Sequence, residues 1–200
     1  MNSALASLAQ TGTPDLTAVH LALLVVLLMV AAFIDVRTFR IPNWLTYGGA
    51  VIGLALGAAV QWRLLGPAWA LDGFLWSLGG LAAGLVLMLP MYALRVMGAG
   101  DVKLMAMAGA FLGLGQIVPA VLCVFVTGGV GALIYVSMRR QLAQLAANLK
   151  TMAFGIALSA MAGQRVGGMA PGASVGKLPY GVSISVGTIL YLLTRQLGYL

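Results

Sequence analysis

The sequence predicts an all-α fold, a polytopic bundle of about six transmembrane helices, on three observations. The 200 residues are 62% hydrophobic and 8% charged, with a mean hydropathy of +1.03, whereas a soluble domain is about one quarter charged. Apolar runs of about eighteen residues or more recur with almost no charge inside them, each long enough to cross a hydrocarbon core of about 30 Å as a helix. The alternating ten-residue strands of a membrane β-barrel are absent.

The runs place spans at about 16 to 34, 44 to 61, 73 to 94, 102 to 115, 117 to 138 and 178 to 197. Residues 1 to 20 hold no Lys or Arg, and Arg37 and Arg40 follow the first run. A secretory signal has a positive segment before its apolar core, so the run is expected to be a retained helix with its N-terminus outside. The second and third spans carry Gly49, Gly53, Gly57, Gly80 and Gly84 at four-residue intervals, and Gly109 and Gly113 continue the pattern in the fourth. That spacing lets helix backbones approach closely, a packing signal. Methionines between Met88 and Met107 read as adaptable core. The fourth span is short at about 14 residues, so it is expected to be tilted, shielded by neighbours, or extended through Gly113-Leu114-Gly115.

After the fifth run, residues 139 to 150 repeat leucine at helical spacing between polar residues, as suits a helix lying on the membrane surface. Residues 151 to 163 are apolar but short for a span, and are expected to be interfacial or re-entrant. The whole chain, 1–200, is read as one membrane-embedded domain with a cytoplasmic or interfacial segment at about 139–177. With the N-terminus outside, the loops after spans one, three and five hold Arg37, Arg40, Arg95, Lys103, Arg139, Arg140, Lys150, Arg165 and Lys177 on the cytoplasmic side. Only Arg63 and Arg195 fall outside, in accord with the positive-inside tendency. The net charge of +7 therefore reflects topology. Nucleic acid is not an expected partner, because no clustered basic face with stacking aromatics is present.

No glutamate occurs, and the acids are Asp15, Asp35, Asp72 and Asp101. Asp15 and Asp72 precede spans and read as helix caps on the outer side. Asp35 ends the first span and Asp101 opens the fourth, so the topology puts both carboxylates at one depth on the cytoplasmic side. They can meet if spans one and four are adjacent. Two such carboxylates in a partly desolvated site share a proton, the state in which an ionised Asp accepts a proton from water while its protonated partner polarises a carbonyl. Structural readings stand beside this one: Asp101 as an N-cap after Gly-Ala-Gly, and Asp35 paired with Arg37 or Arg40. Cys123, the single cysteine, lies inside an apolar run and reads as packing, and His20 reads as interfacial near the outer end. With one His and one Cys, no metal site and no cofactor are expected.

Gly98-Ala99-Gly100-Asp101-Val102-Lys103 resembles the Gly-x-Gly-Asp motif of membrane aspartyl peptidases. Together with Asp35-Val-Arg-Thr-Phe-Arg-Ile-Pro-Asn-Trp-Leu-Thr and the late Lys-Leu-Pro-Tyr-Gly-Val-Ser-Ile-Ser-Val-Gly, it is similar to the type IV prepilin peptidase family. The resemblance implies cleavage of prepilin leaders after a glycine at the cytoplasmic face of the bacterial inner membrane, with Asp35 and Asp101 as the catalytic pair. It implies prepilin and membrane lipid as partners, and Pro179 and Tyr180 as residues positioned near the site. Gly98 and Gly100 lack Cβ atoms and so suit close approach by an extended substrate. Lys103 stands close in sequence to offset the charge of the pair. Pro42, in Ile41-Pro42-Asn43, reads as helix entry. Larger members carry a cysteine-bearing region and also methylate the new N-terminus. With no cysteine to build that region, the chain is similar to the short TadV/CpaA-type members that serve Flp or tight-adherence pili, and methyl transfer is not expected. Competing readings are another intramembrane aspartyl protease, an ion transporter using the Asp pair as a relay, and a non-enzymatic pilus-assembly protein.

Overall fold

A computed structural model describes residues 16–94, 96–138 and 180–198, with Ala147, Lys150, Thr151 and Phe154. The described residues form α1 (Leu16–Thr38), α2 (Asn43–Leu65), a 3-10 turn (Pro67–Trp69), α3 (Ala70–Ala93), α4 (Ala99–Leu112), α5 (Leu114–Met138) and α6 (Tyr180–Gln196), with no strand among them. The helical membrane bundle expected from composition is therefore the fold, and each helix matches a predicted span to within a few residues. The readings for 139–150 and 151–163 fall almost wholly outside the described residues.

One face of α1 is buried along the stripe His20, Leu24, Leu28, Ala31 and Asp35, the three-to-four spacing of a helix face. Val26, Met29 and Phe33 on the other faces are exposed, as befits side chains solvated by lipid. In α2 and α3 the buried stripes are mostly small: Leu45, Thr46, Gly49, Gly53 and Gly57 in one, Gly73, Ser77, Gly80, Gly84 and Met88 in the other. Gly57 and Gly73 bring α2 and α3 against each other, whereas Gly49, Gly53, Gly80 and Gly84 admit α4. A Cβ on Gly80 would lie 2.2 Å from the Gly109 carbonyl oxygen, and one on Gly109 would lie 2.1 Å from that of Gly80. Backbone meets backbone there, and the packing role read from the glycine spacing is borne out.

Four helices, α1, α2, α3 and α5, are long and apolar enough to cross a membrane. The 14 residues of α4 rise about 21 Å, short of the core thickness. Eleven of them, from Asp101 through Leu112 without Lys103, are buried, so shielding by neighbours replaces length. Extension through Gly113 does not occur. Gly113 adopts φ 76, its N–H closes on the Gly109 carbonyl at 2.8 Å, and a Cβ there would strike the Trp76 ring. Leu114 then begins α5.

Consecutive helices run in opposite directions. The end of α1 and the starts of α2, α4 and α6 gather at one end of the bundle. At the other, Leu112 at the end of α4 meets His20, Gln61, Ser77, Gln116 and Arg195.

Candidate active site

Asp35 is the last residue of the buried stripe of α1 and is 5% exposed. Its Oδ2 accepts the Gly181 N–H at 2.8 Å. The first N–H groups of a helix have no partner inside it, so a carboxylate of α1 caps α6 and faces the positive end of its dipole. The position demands glycine: a Cβ on residue 181 would lie 2.7 Å from Asp35 Oδ2. One turn on, the buried Ser185 hydroxyl lies 2.8 Å from both the Leu28 and Gly181 carbonyl oxygens, tying α6 to α1. Arg37 stands over the Phe33 ring, 4.3 Å from its centroid, rather than pairing with Asp35. Phe39, with φ 51, ends α1 by donating its N–H to the Asp35 carbonyl at 2.8 Å.

Asp101 is 9% exposed. It lies in the first turn of α4 at the third helical position, and the N-cap is Gly98. The N-cap reading is thus corrected by three residues: Asp101 Oδ2 reaches back to accept the Gly98 N–H at 2.9 Å, the carboxylate half of a capping box. Burial pushes its pKa up to about 6, the Gly98 N–H works against that rise, and the nearby Asp35 charge adds to it. Asp101 in turn acts electrostatically on Tyr180. A carboxyl raised in this way is half protonated near pH 6, where an exposed aspartate is ionised.

The segment around Asp101 is clamped to the α1–α2 connection. Gly100 packs where a Cβ would lie 3.3 Å from Ile41 Cβ, so its small size serves an internal contact. Lys103 Nζ donates to Asn43 Oδ1 at 2.9 Å and sits 5.0 Å from the Tyr47 ring centroid. Its ammonium is directed to α2, and the charge offset expected of it is not made by direct contact with the pair. Pro42 is the N-cap of α2, with φ −69 and ψ 139, close to the helix-entry role read for it. Pro179 lies outside the described residues. Asp72 is inside the first turn of α3 rather than before the helix, where a negative charge complements the dipole. His20 is 8% exposed, its ring centroid 5.0 Å from that of Phe111, so near the outer end of α1 it is packed inside the bundle.

Sequence reasoning brought together Asp35, Asp101 and Tyr180, and missed Gly181 and Ser185. The available signal was their place in Pro-Tyr-Gly-Val-Ser-Ile-Ser, where a glycine opens a helix and a serine follows at i+4. Among the described residues, no three His, Cys, Asp or Glu side chains gather as a metal site. A family model, the type IV leader peptidase family, matches residues 22–133. No curated protein and no solved structure matches the chain.

Proposed function

The chain belongs to the type IV leader peptidase family, and on that premise we propose that it cleaves the leaders of type IV, Flp-like prepilins after their terminal glycine, using Asp35 and Asp101. Membership makes it a membrane peptidase of the aspartic type in general. The observation supporting the particular dyad is that the two acids in the buried core, from helices far apart in sequence, sit in each other's field, each holding a backbone N–H.

In the proposed reaction the ionised carboxylate takes a proton from water as the oxygen attacks the scissile carbonyl, and the protonated partner donates to the carbonyl oxygen. Collapse of the tetrahedral diol breaks the C–N bond: the amine leaves with a proton from the pair, and one diol hydroxyl returns its proton to the pair as the product carboxyl's C=O forms. The dyad ends as it began, sharing one proton, so the base is a property of the pair. Arg37, Arg40 and Lys103 stand near this end of the bundle, and cations favour the cytoplasmic side. That supports a cytoplasmic site in the bacterial inner membrane with the N-terminus outside.

The test is cleavage of a prepilin by the purified protein in lipid. Asp35→Asn and Asp101→Asn are each expected to lower turnover by at least about a thousandfold, as when a member of a catalytic unit is lost, while the helical circular dichroism spectrum is retained. Substantial turnover by a folded variant would remove that residue from the reaction.

A further inference from the structure

At the end of the bundle remote from Asp35 lies a cavity of about 270 Å³, lined by His20, Gln61, Ser77, Trp76, Gln116 and Arg195 among others. Along α1, His20 stands fifteen residues before Asp35, about 22 Å of helix. The cavity lies where α4 runs out, for Phe111 and Leu112, the last residues of that helix, also line it. His20 is more than nine-tenths buried, and its Nε2 has no hydrogen-bond partner, a condition that calls for a ligand or water. Among the described residues of the lining, Arg195 is the only formally charged one and none is an acid. Its guanidinium donates to Gln116 Oε1, leaving the rest of its five N–H groups for another acceptor.

A second feature adjoins the first. Between α1 and α6 runs a groove of about 310 Å³ lined by Ala18, Ala22, Val25, Ile189, Leu192 and Leu193. Leu21 borders both spaces, and the neighbours Arg195 and Gln196 line one each. A polar pocket with one fixed positive charge thus opens beside an apolar channel that heads toward the middle of the bundle. A free anion would leave the channel unfilled, and a headgroup bearing its own cation would find no carboxylate among the described residues of the pocket.

We propose that this end of the molecule binds one anionic phospholipid, its phosphate against Arg195 and Gln116 and an acyl chain in the α1–α6 groove. The site is separate from the proposed dyad, and its test needs no substrate. Delipidated protein in detergent is titrated by native mass spectrometry with dioleoylphosphatidylglycerol, with dioleoylphosphatidylcholine and with inorganic phosphate. One phosphatidylglycerol is expected to remain bound under activation that strips phosphatidylcholine. Arg195→Gln should weaken its retention by about tenfold, the loss expected with a charge-assisted hydrogen bond, while Arg195→Lys recovers part of it. Ala22→Phe, which fills the groove, should weaken it similarly, with Leu193→Trp as a second filler should the first not fold. Equal retention of the two lipids, or insensitivity to Arg195→Gln, would overturn the proposal. So would displacement of phosphatidylglycerol by inorganic phosphate at comparable concentration, which would make this a free-anion site.

Discussion

Replacing Gly181 with alanine would place a Cβ 2.7 Å from Asp35 Oδ2, and neither the start of a packed helix nor a buried carboxylate can yield at low cost. Gly181→Ala is expected to lower kcat by at least about tenfold with KM little changed, as for a group felt mainly in the transition state. Gly129→Ala, with open space around its Cβ, should leave turnover unchanged, and steady-state kinetics on both variants check this. Asp101 carries a second consequence. Its folded pKa of about 6 lies above the ordinary 3.8, so the folded state binds the extra proton. The stability this contributes is present at acid pH and is lost as pH rises through about 6. Asp101→Asn, neutral at every pH, should therefore be more stable than the parent at pH 8, by at most about 3 kcal/mol, and show no such gain at pH 4. Thermal unfolding in one detergent at the two pH values measures it. Cleavage should likewise decline as pH rises through the range where the pair loses its shared proton. Asp35 and Asp101 were legible in sequence because acids are so scarce that each asks for a reason. Gly181 was not, because its constraint comes from an atom 146 residues away.

The helix that most shapes the molecule is the shortest but for nothing it lacks in contacts: α4 replaces length with burial, and its seat on α3 is backbone on backbone. Gly109→Ala puts a Cβ 2.1 Å from the Gly80 carbonyl oxygen, and overpacking of this kind costs about 1–3 kcal/mol or more. A clear drop in unfolding temperature is expected, with Gly129→Ala as the neutral comparison. Lys103→Ala tests a different idea. Because Lys103 binds Asn43 and Tyr47 on α2, its loss should change cleavage by less than about tenfold, well short of the loss of a catalytic group. A collapse of activity comparable to Asp101→Asn would restore it to the site. Four-residue glycine spacing made these contacts readable in advance, since only packing rewards it. The helix stop at Gly113 was not readable, because glycine at that point permits either continuation or a turn, and the Trp76 ring that excludes a side chain there lies 37 residues earlier in the chain.

For the whole molecule, the alternation of helix direction places Thr38 and Arg63 at opposite ends of α1 and α2. In a Cys123→Ser background, Thr38→Cys should react with a membrane-impermeant maleimide only from the cytoplasmic side, and Arg63→Cys only from the other. The opposite pattern would invert the proposed orientation. The bundle was legible because lipid demands apolar surface on every outward face, and the closure of the bundle was not. The matched family region ends at residue 133, yet α6, which begins at Tyr180, supplies the N–H that holds Asp35. That bond sets a schedule for biosynthesis. A ribosome finishes both acids long before it reaches residue 181, so a nascent chain that stops short of α6 holds Asp35 without its anchor. Only when α6 leaves the insertion machinery and slots between α1 and α5 does the proposed dyad acquire its geometry. Hydrolytic competence would then wait on α6, and a nascent enzyme that lacks it would be a harmless one.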